Sequence, residues 1–180
     1  MPAEKEVAKL AVPLFFQTIE ETEFSKWIRE SPNFFAFYGI LTFHALGLVM
    51  IVGPAVVIGL RILGVASDIA LAPMKKLFPI IWAGLWLNVI SGLLLFYAYP
   101  TKEITNWTFY VKLVCVLLAA LATRKIQKKM SDPSLNETAI AAQSRSSAFA
   151  MLVFWGLVIS IGKFLPYTYI YLFYGMKGSG

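Results

Sequence analysis

The chain has 180 residues, of which 58% are hydrophobic, 15% aromatic and only 14% charged, with a net charge of +6. Soluble domains run at about 45–50% apolar and about 25% charged, so a water-soluble fold of this size lacks the polar surface to cover its apolar side chains, and lipid must cover them. The positive charge lies between apolar runs, which points to a membrane surface and away from nucleic acid.

Over residues 13–28, Phe16, Ile19, Phe24 and Trp27 recur at helical spacing, while Glu20, Glu21 and Glu23 fall elsewhere on the wheel. That pattern predicts an amphipathic helix within residues 1–31, lying at the membrane interface or packed on a partner subunit. The positive, apolar, small-residue order of a cleaved signal is not seen here, and the first long apolar run, from near Asn33, is expected to direct insertion.

Ser31-Pro32 has the form of an N-cap serine followed by proline at the first helical position. A first span is predicted over 34–63, a second over 77–99 and a third over 107–123, all near the ~20 residues that cross hydrocarbon. Ser131-Asp132-Pro133 then breaks the helix, and Ser134-Leu135-Asn136-Glu137 resembles a capping box that starts another. This last helix is predicted to begin in water and to span the membrane over 148–166, with Tyr167, Tyr169, Tyr171 and Tyr174 as an aromatic belt. Gly178-Ser179-Gly180 belongs to a flexible tail over 176–180. The expected fold is all-α: an integral membrane four-helix bundle over 32–175 with an N-terminal amphipathic interfacial helix.

The loops predict the orientation. One side carries Arg61, Lys75, Lys76, Arg124, Lys125, Lys128, Lys129 and Arg145 against only Asp68, Asp132 and Glu137, and is expected to be cytoplasmic. In a bacterial inner membrane both termini would then face outward. Cys115 is the sole cysteine, so no disulfide forms within the chain and no CxxC pair exists; a small buried hydrophobe is its expected role.

Polar side chains inside a bilayer are costly, and His44, Arg61, Asn88, Lys112 and Lys163 fall there. His44, the only histidine, lies about ten residues into the first predicted span, roughly 15 Å along a helix. Lys112 and Lys163 each lie about five residues from the outer ends of their spans, roughly 8–9 Å deep and on the same side. An imidazole below two ammonium groups suits a haem b, with His44 taking the iron and Lys112 and Lys163 the propionates. The plainer readings are lysines that snorkel to headgroups and a histidine that only packs and hydrogen-bonds. Arg61 is expected to be an interfacial anchor, and Asn88, on one face with Gly84 and Gly92, to mark close helix packing.

Phe43-His44-Ala45-Leu46-Gly47 with Gly59-Leu60-Arg61-Ile62-Leu63-Gly64 resembles the first span of an uncharacterised family of small bacterial four-helix membrane proteins. The likeness continues through Ser91-Gly92-Leu93-Leu94-Leu95-Phe96, Phe109-Tyr110-Val111-Lys112-Leu113 and Trp155-Gly156-Leu157 to Gly162-Lys163. Here Gly59 stands where that family carries an acid, and Lys163 where it carries arginine. More distantly, the order of these motifs is similar to the haem-containing bacterial protoporphyrinogen oxidases and to the copper-resistance D membrane proteins. The former resemblance implies haem binding and activity at His44 and Lys112. Copper fits less well, because one histidine and one cysteine without clustered methionines offer few soft ligands.

The expected function is therefore a haem protein that relays electrons or oxidises a hydrophobic substrate such as a quinol or porphyrin-like molecule. One histidine leaves the sixth iron position open, or filled from another subunit of a homo-oligomer. The alternatives are a non-catalytic accessory subunit of a larger membrane complex and a protein whose His44 ligates a chlorophyll-type pigment. No GxSxG, HExxH or phosphate-binding glycine loop supports a hydrolase.

Overall fold

A computed structural model describes residues 13–174, with side chains as far as Leu165. All regular elements among the described residues are helical. They are α1 (Leu14–Glu20), α2 (Glu23–Glu30), α3 (Phe37–Leu63), a 3-10 helix (Ala72–Leu77), α4 (Phe78–Ala98), α5 (Pro100–Ile104), α6 (Trp107–Ser131) and α7 (Glu137–Tyr174). Among the described residues, three stretches are long and apolar enough to cross a membrane: Phe37–Leu63, Ala72–Ala98 and Glu137–Leu165. Helix is the form such segments must take, because hydrocarbon offers no partner for an open backbone. The helix α6 has 25 residues but stands outside that set. Lys112 near one end and Arg124 near the other confine its uncharged stretch to 113–123.

The helix α3 packs along both α4 and α7, and α7 packs along α6, giving the order α4, α3, α7, α6. The helices α4 and α6 meet through side chains toward each end. Trp82 Nε1 donates to Gln127 Oε1 at 2.8 Å, and Phe96 stacks on Phe109 with ring centroids 5.6 Å apart. Between the layers lie Ile51, Ile58, Phe78, Ile81, Ala119, Ile126, Met151 and Trp155, all buried. Cys115 is buried with them, as its type leads one to expect.

The N-terminal segment is two helices rather than one. Thr22 interrupts it and caps α2 by accepting from the Ser25 backbone N–H at 3.3 Å. The buried face of α2 sits on this chain's own α4–α5 corner. Ser25 Oγ donates toward the Tyr97 carbonyl at 3.1 Å and Arg29 Nη1 donates to the Ala98 carbonyl at 2.8 Å. Those carbonyls close α4 and have no intrahelical partner, so α2 acts as its C-cap. Phe24 and Trp27 remain exposed on the other face.

Two helix starts differ from the expectation. Ser31 ends α2 instead of opening α3; its extended backbone, with φ −63° and ψ 130°, is what a residue before proline favours. Asn33 takes over, its Oδ1 accepting from the Phe35 N–H at 3.0 Å, and α3 opens only at Phe37. Before α7, Asp132 captures Ser134, whose N–H and hydroxyl reach its Oδ1 at 2.9 and 2.6 Å. The Ser134 hydroxyl and amide hold the Asp132 carboxyl below its usual pKa. With Ser134 occupied, Asn136 caps α7 by accepting from the Ala139 N–H at 2.8 Å.

Gly64 closes α3 in the left-handed region, at φ 101°, where side chains are strained. Val65 N–H reaches back to the Leu60 carbonyl at 3.0 Å. The backbone of α7 continues helically through Pro166 to Tyr174. The side chains of the predicted tyrosine belt, and the tail over 176–180, lie outside the described residues.

Candidate functional site

The predicted metal ligand, His44, lies seven residues inside α3, roughly 10 Å along the axis from Phe37. Lys112 lies five residues and roughly 8 Å inside α6. His44 is half-buried against α4. Its Nδ1 stands 3.0 Å from Ser91 Oγ. The same hydroxyl is 2.6 Å from the Leu87 carbonyl. Ser91 itself is 3% exposed. Asn88 Nδ2 donates to the His44 carbonyl at 2.8 Å, fixing the backbone beneath the ring.

Three glycines make this approach possible. A Cβ on Gly47 would stand 2.9 Å from both Asn88 N and the Gly84 carbonyl, and one on Gly84 would stand 2.8 Å from the Gly47 carbonyl. A Cβ on Gly92 would stand 3.2 Å from His44 Cε1. The stripe of Gly84, Asn88 and Gly92 is therefore consumed within the chain: two members bring α3 and α4 together and the third leaves space beside the imidazole.

His44 Nε2 has no hydrogen-bond partner among the described residues and is not sealed inside the protein. Lys112 is half-buried, and its Nζ lies 3.9 Å from where a Gly162 Cβ would stand on α7. Its positive charge acts on both His44 and Glu103. Burial pushes the Glu103 carboxyl above its usual pKa, while the Lys102 and Lys112 charges pull the other way. Above this level Phe16, Phe96 and Phe109 form a roof, Phe16 meeting Phe96 edge-on with centroids 6.3 Å apart.

Lys163 is not brought to this group in the same way. It is exposed, and its neighbour Gly162 is the residue that faces the Lys112 amine. Arg61 lies at the far end, where Nη2 pairs with Glu137 Oε2 at 3.6 Å and Nε donates to the Ile69 carbonyl. Glu137 Oε1 also accepts from the Leu71 N–H at 3.0 Å. Arg61 thus finds its acidic partner at the start of α7. Among the described residues no three His, Cys, Asp or Glu side chains gather as metal ligands.

Sequence reasoning passed over Ser91 and Glu103 as interacting groups and took Glu137 only for a capping-box residue. A serine within an apolar helix, beside a glycine on the stripe that carries Asn88, was the available signal for the first. The other two act across the chain and leave no local pattern. No family model, curated protein or solved structure matches this chain.

Proposed function

We propose that this protein is a four-span membrane protein that binds a b-type haem through His44, for electron transfer or oxidation of a hydrophobic substrate. The observation that carries this reading is the state of the imidazole: Nδ1 engaged by Ser91, Nε2 unpartnered, and a side-chain-free Gly92 alongside. Metal-bound histidines are typically held this way through the second nitrogen. A bare metal ion would want about four protein ligands, whereas the described residues offer one imidazole. A tetrapyrrole brings four nitrogens of its own and needs only an axial donor.

In this reading Lys112 holds a carboxylate, from a propionate or an acidic substrate, near the imidazole. The phenylalanine roof limits water from the outer side, and the exposed Lys163 serves at the headgroup level. Bound haem would supply reversible one-electron chemistry at its iron. The helix α6 is the fourth span, its Lys112 turned onto α7 and its basic end in the cytoplasm. Both termini then lie outside the inner membrane.

The accessory-subunit alternative loses part of two of its supports, because the glycine stripe of α4 and the buried face of α2 are both used internally. Protein purified from haem-replete cells is expected to show a Soret band and a positive pyridine haemochrome, both lost in His44→Ala. A colourless wild-type preparation would sink the haem reading.

A further inference from the structure

We infer that Ser91 is a positioning residue that fixes His44 in the Nδ1–H tautomer, leaving the Nε2 lone pair as the ligand atom. This deepens the function proposed above and rests on it for its consequence. The tautomer itself follows from proton counting within the chain.

Ser91 Oγ is 2.6 Å from the Leu87 carbonyl and 3.2 Å from the Asn88 carbonyl. Both carbonyls can only accept, and a hydroxyl has a single proton to give. A serine inside a helix regularly directs that proton back onto the carbonyl four residues earlier, and the shorter distance selects Leu87. Toward His44 Nδ1, 3.0 Å away, Ser91 Oγ is then left only as an acceptor. Nδ1 must therefore carry the hydrogen. A neutral imidazole has one N–H, so Nε2 is left with its lone pair free.

The surroundings reinforce this choice. Ser91 is buried, so water does not readily replace the Leu87 carbonyl as its acceptor. Asn88, one turn before Gly92, binds the His44 carbonyl, so α4 holds both the backbone and the ring of the same residue. Lys112 presents a cation rather than a proton acceptor and offers Nε2–H no partner. A carboxylate or carbonyl facing Nε2 would favour the opposite tautomer, and none is bonded to it among the described residues.

The chain has a single histidine, so protein labelled with [15N]histidine and purified through a histidine-free tag reports on His44 alone. In detergent at about pH 8, wild type is expected to show Nδ1 as the protonated and Nε2 as the unprotonated nitrogen. Ser91→Ala is expected to shift the population toward Nε2–H, and Ser91→Thr, which keeps the hydroxyl, to restore the wild-type pattern. An Nε2–H wild type, or a tautomer unmoved by Ser91→Ala, would overturn the inference.

Haem titration gives the second readout. Loss of a group holding a metal-bound histidine weakens affinity by about 10–100-fold, and that loss is expected in Ser91→Ala but not in Ser91→Thr. Equal affinity in wild type and Ser91→Ala removes the positioning role. A wild type that takes up no haem overturns the proposed function, while the NMR result still decides the tautomer by itself.

Discussion

Glu103 shows how one side chain can make stability depend on pH. It lies on α5, outside the candidate spans, and burial raises its folded-state pKa above the unfolded value. The sign follows from linkage: the folded state binds the proton more tightly, so the contribution is favourable below the unfolded pKa and is lost as pH rises through the folded one. Glu103→Gln is expected to raise the unfolding temperature at about pH 8 and to change it little at about pH 4. Melting curves of both proteins across that window, superimposable at every pH, would contradict the burial argument. Ser91 has a similar lesson at the site: its importance comes from where its one proton goes.

At the scale of the element, the α3–α4 crossing depends on backbone contact. A methyl group at Gly84 would stand 2.7 Å from Met50 Cβ as well as 2.8 Å from the Gly47 carbonyl, and a carbonyl in a helix cannot swing aside. Overpacking of this kind costs about 1–3 kcal/mol. Gly84→Ala is therefore expected to lower stability by that amount in detergent and, by spreading the two helices, to weaken the Asn88–His44 bond. Unfolding measurements that return wild-type stability would show that the crossing relaxes freely. Pro54 lies within α3, between this crossing and the Gly64 end of the helix, where its missing N–H removes one rung of the ladder.

At the scale of the molecule, Glu137 joins three parts of the chain: the end of α3 through Arg61, the following turn through Leu71, and the start of α7. The Arg61 side chain is 12% exposed and that of Glu137 is 45% exposed, so the ion pair by itself is worth little, about 0–1 kcal/mol. The buried Leu71 N–H matters more, since an unsatisfied donor costs about 1–3 kcal/mol. Glu137→Ala is expected to lose that larger amount and Glu137→Gln, which keeps a carbonyl acceptor, to lose less; equal losses would assign the effect to charge instead. Topology is a separate test. In a Cys115→Ala background, an impermeant maleimide is expected to label Thr105→Cys in spheroplasts, and Lys125→Cys only after permeabilisation. Labelling in the reverse order would invert the orientation.

Composition and the run of apolar residues by themselves determined that the chain is helical and carries stretches long and apolar enough to cross a membrane. Those runs also located α3, α4 and the long helix α7, because hydrocarbon leaves a peptide backbone few alternatives. His44 stood out for its rarity, and the close-packing role of Asn88 was legible from its glycine neighbours. Local signals misplaced the helix starts at Ser31 and Ser134, where neighbouring Pro32 and Asp132 compete for the same groups. Only the tertiary structure decided that Ser91 faces His44, that Gly162 rather than Lys163 faces the Lys112 amine, and that Glu137 serves Arg61. Each of these joins residues far apart in the chain, and their geometry depends on how closely the helix backbones approach. Spacing along one strand of sequence carries no record of that distance.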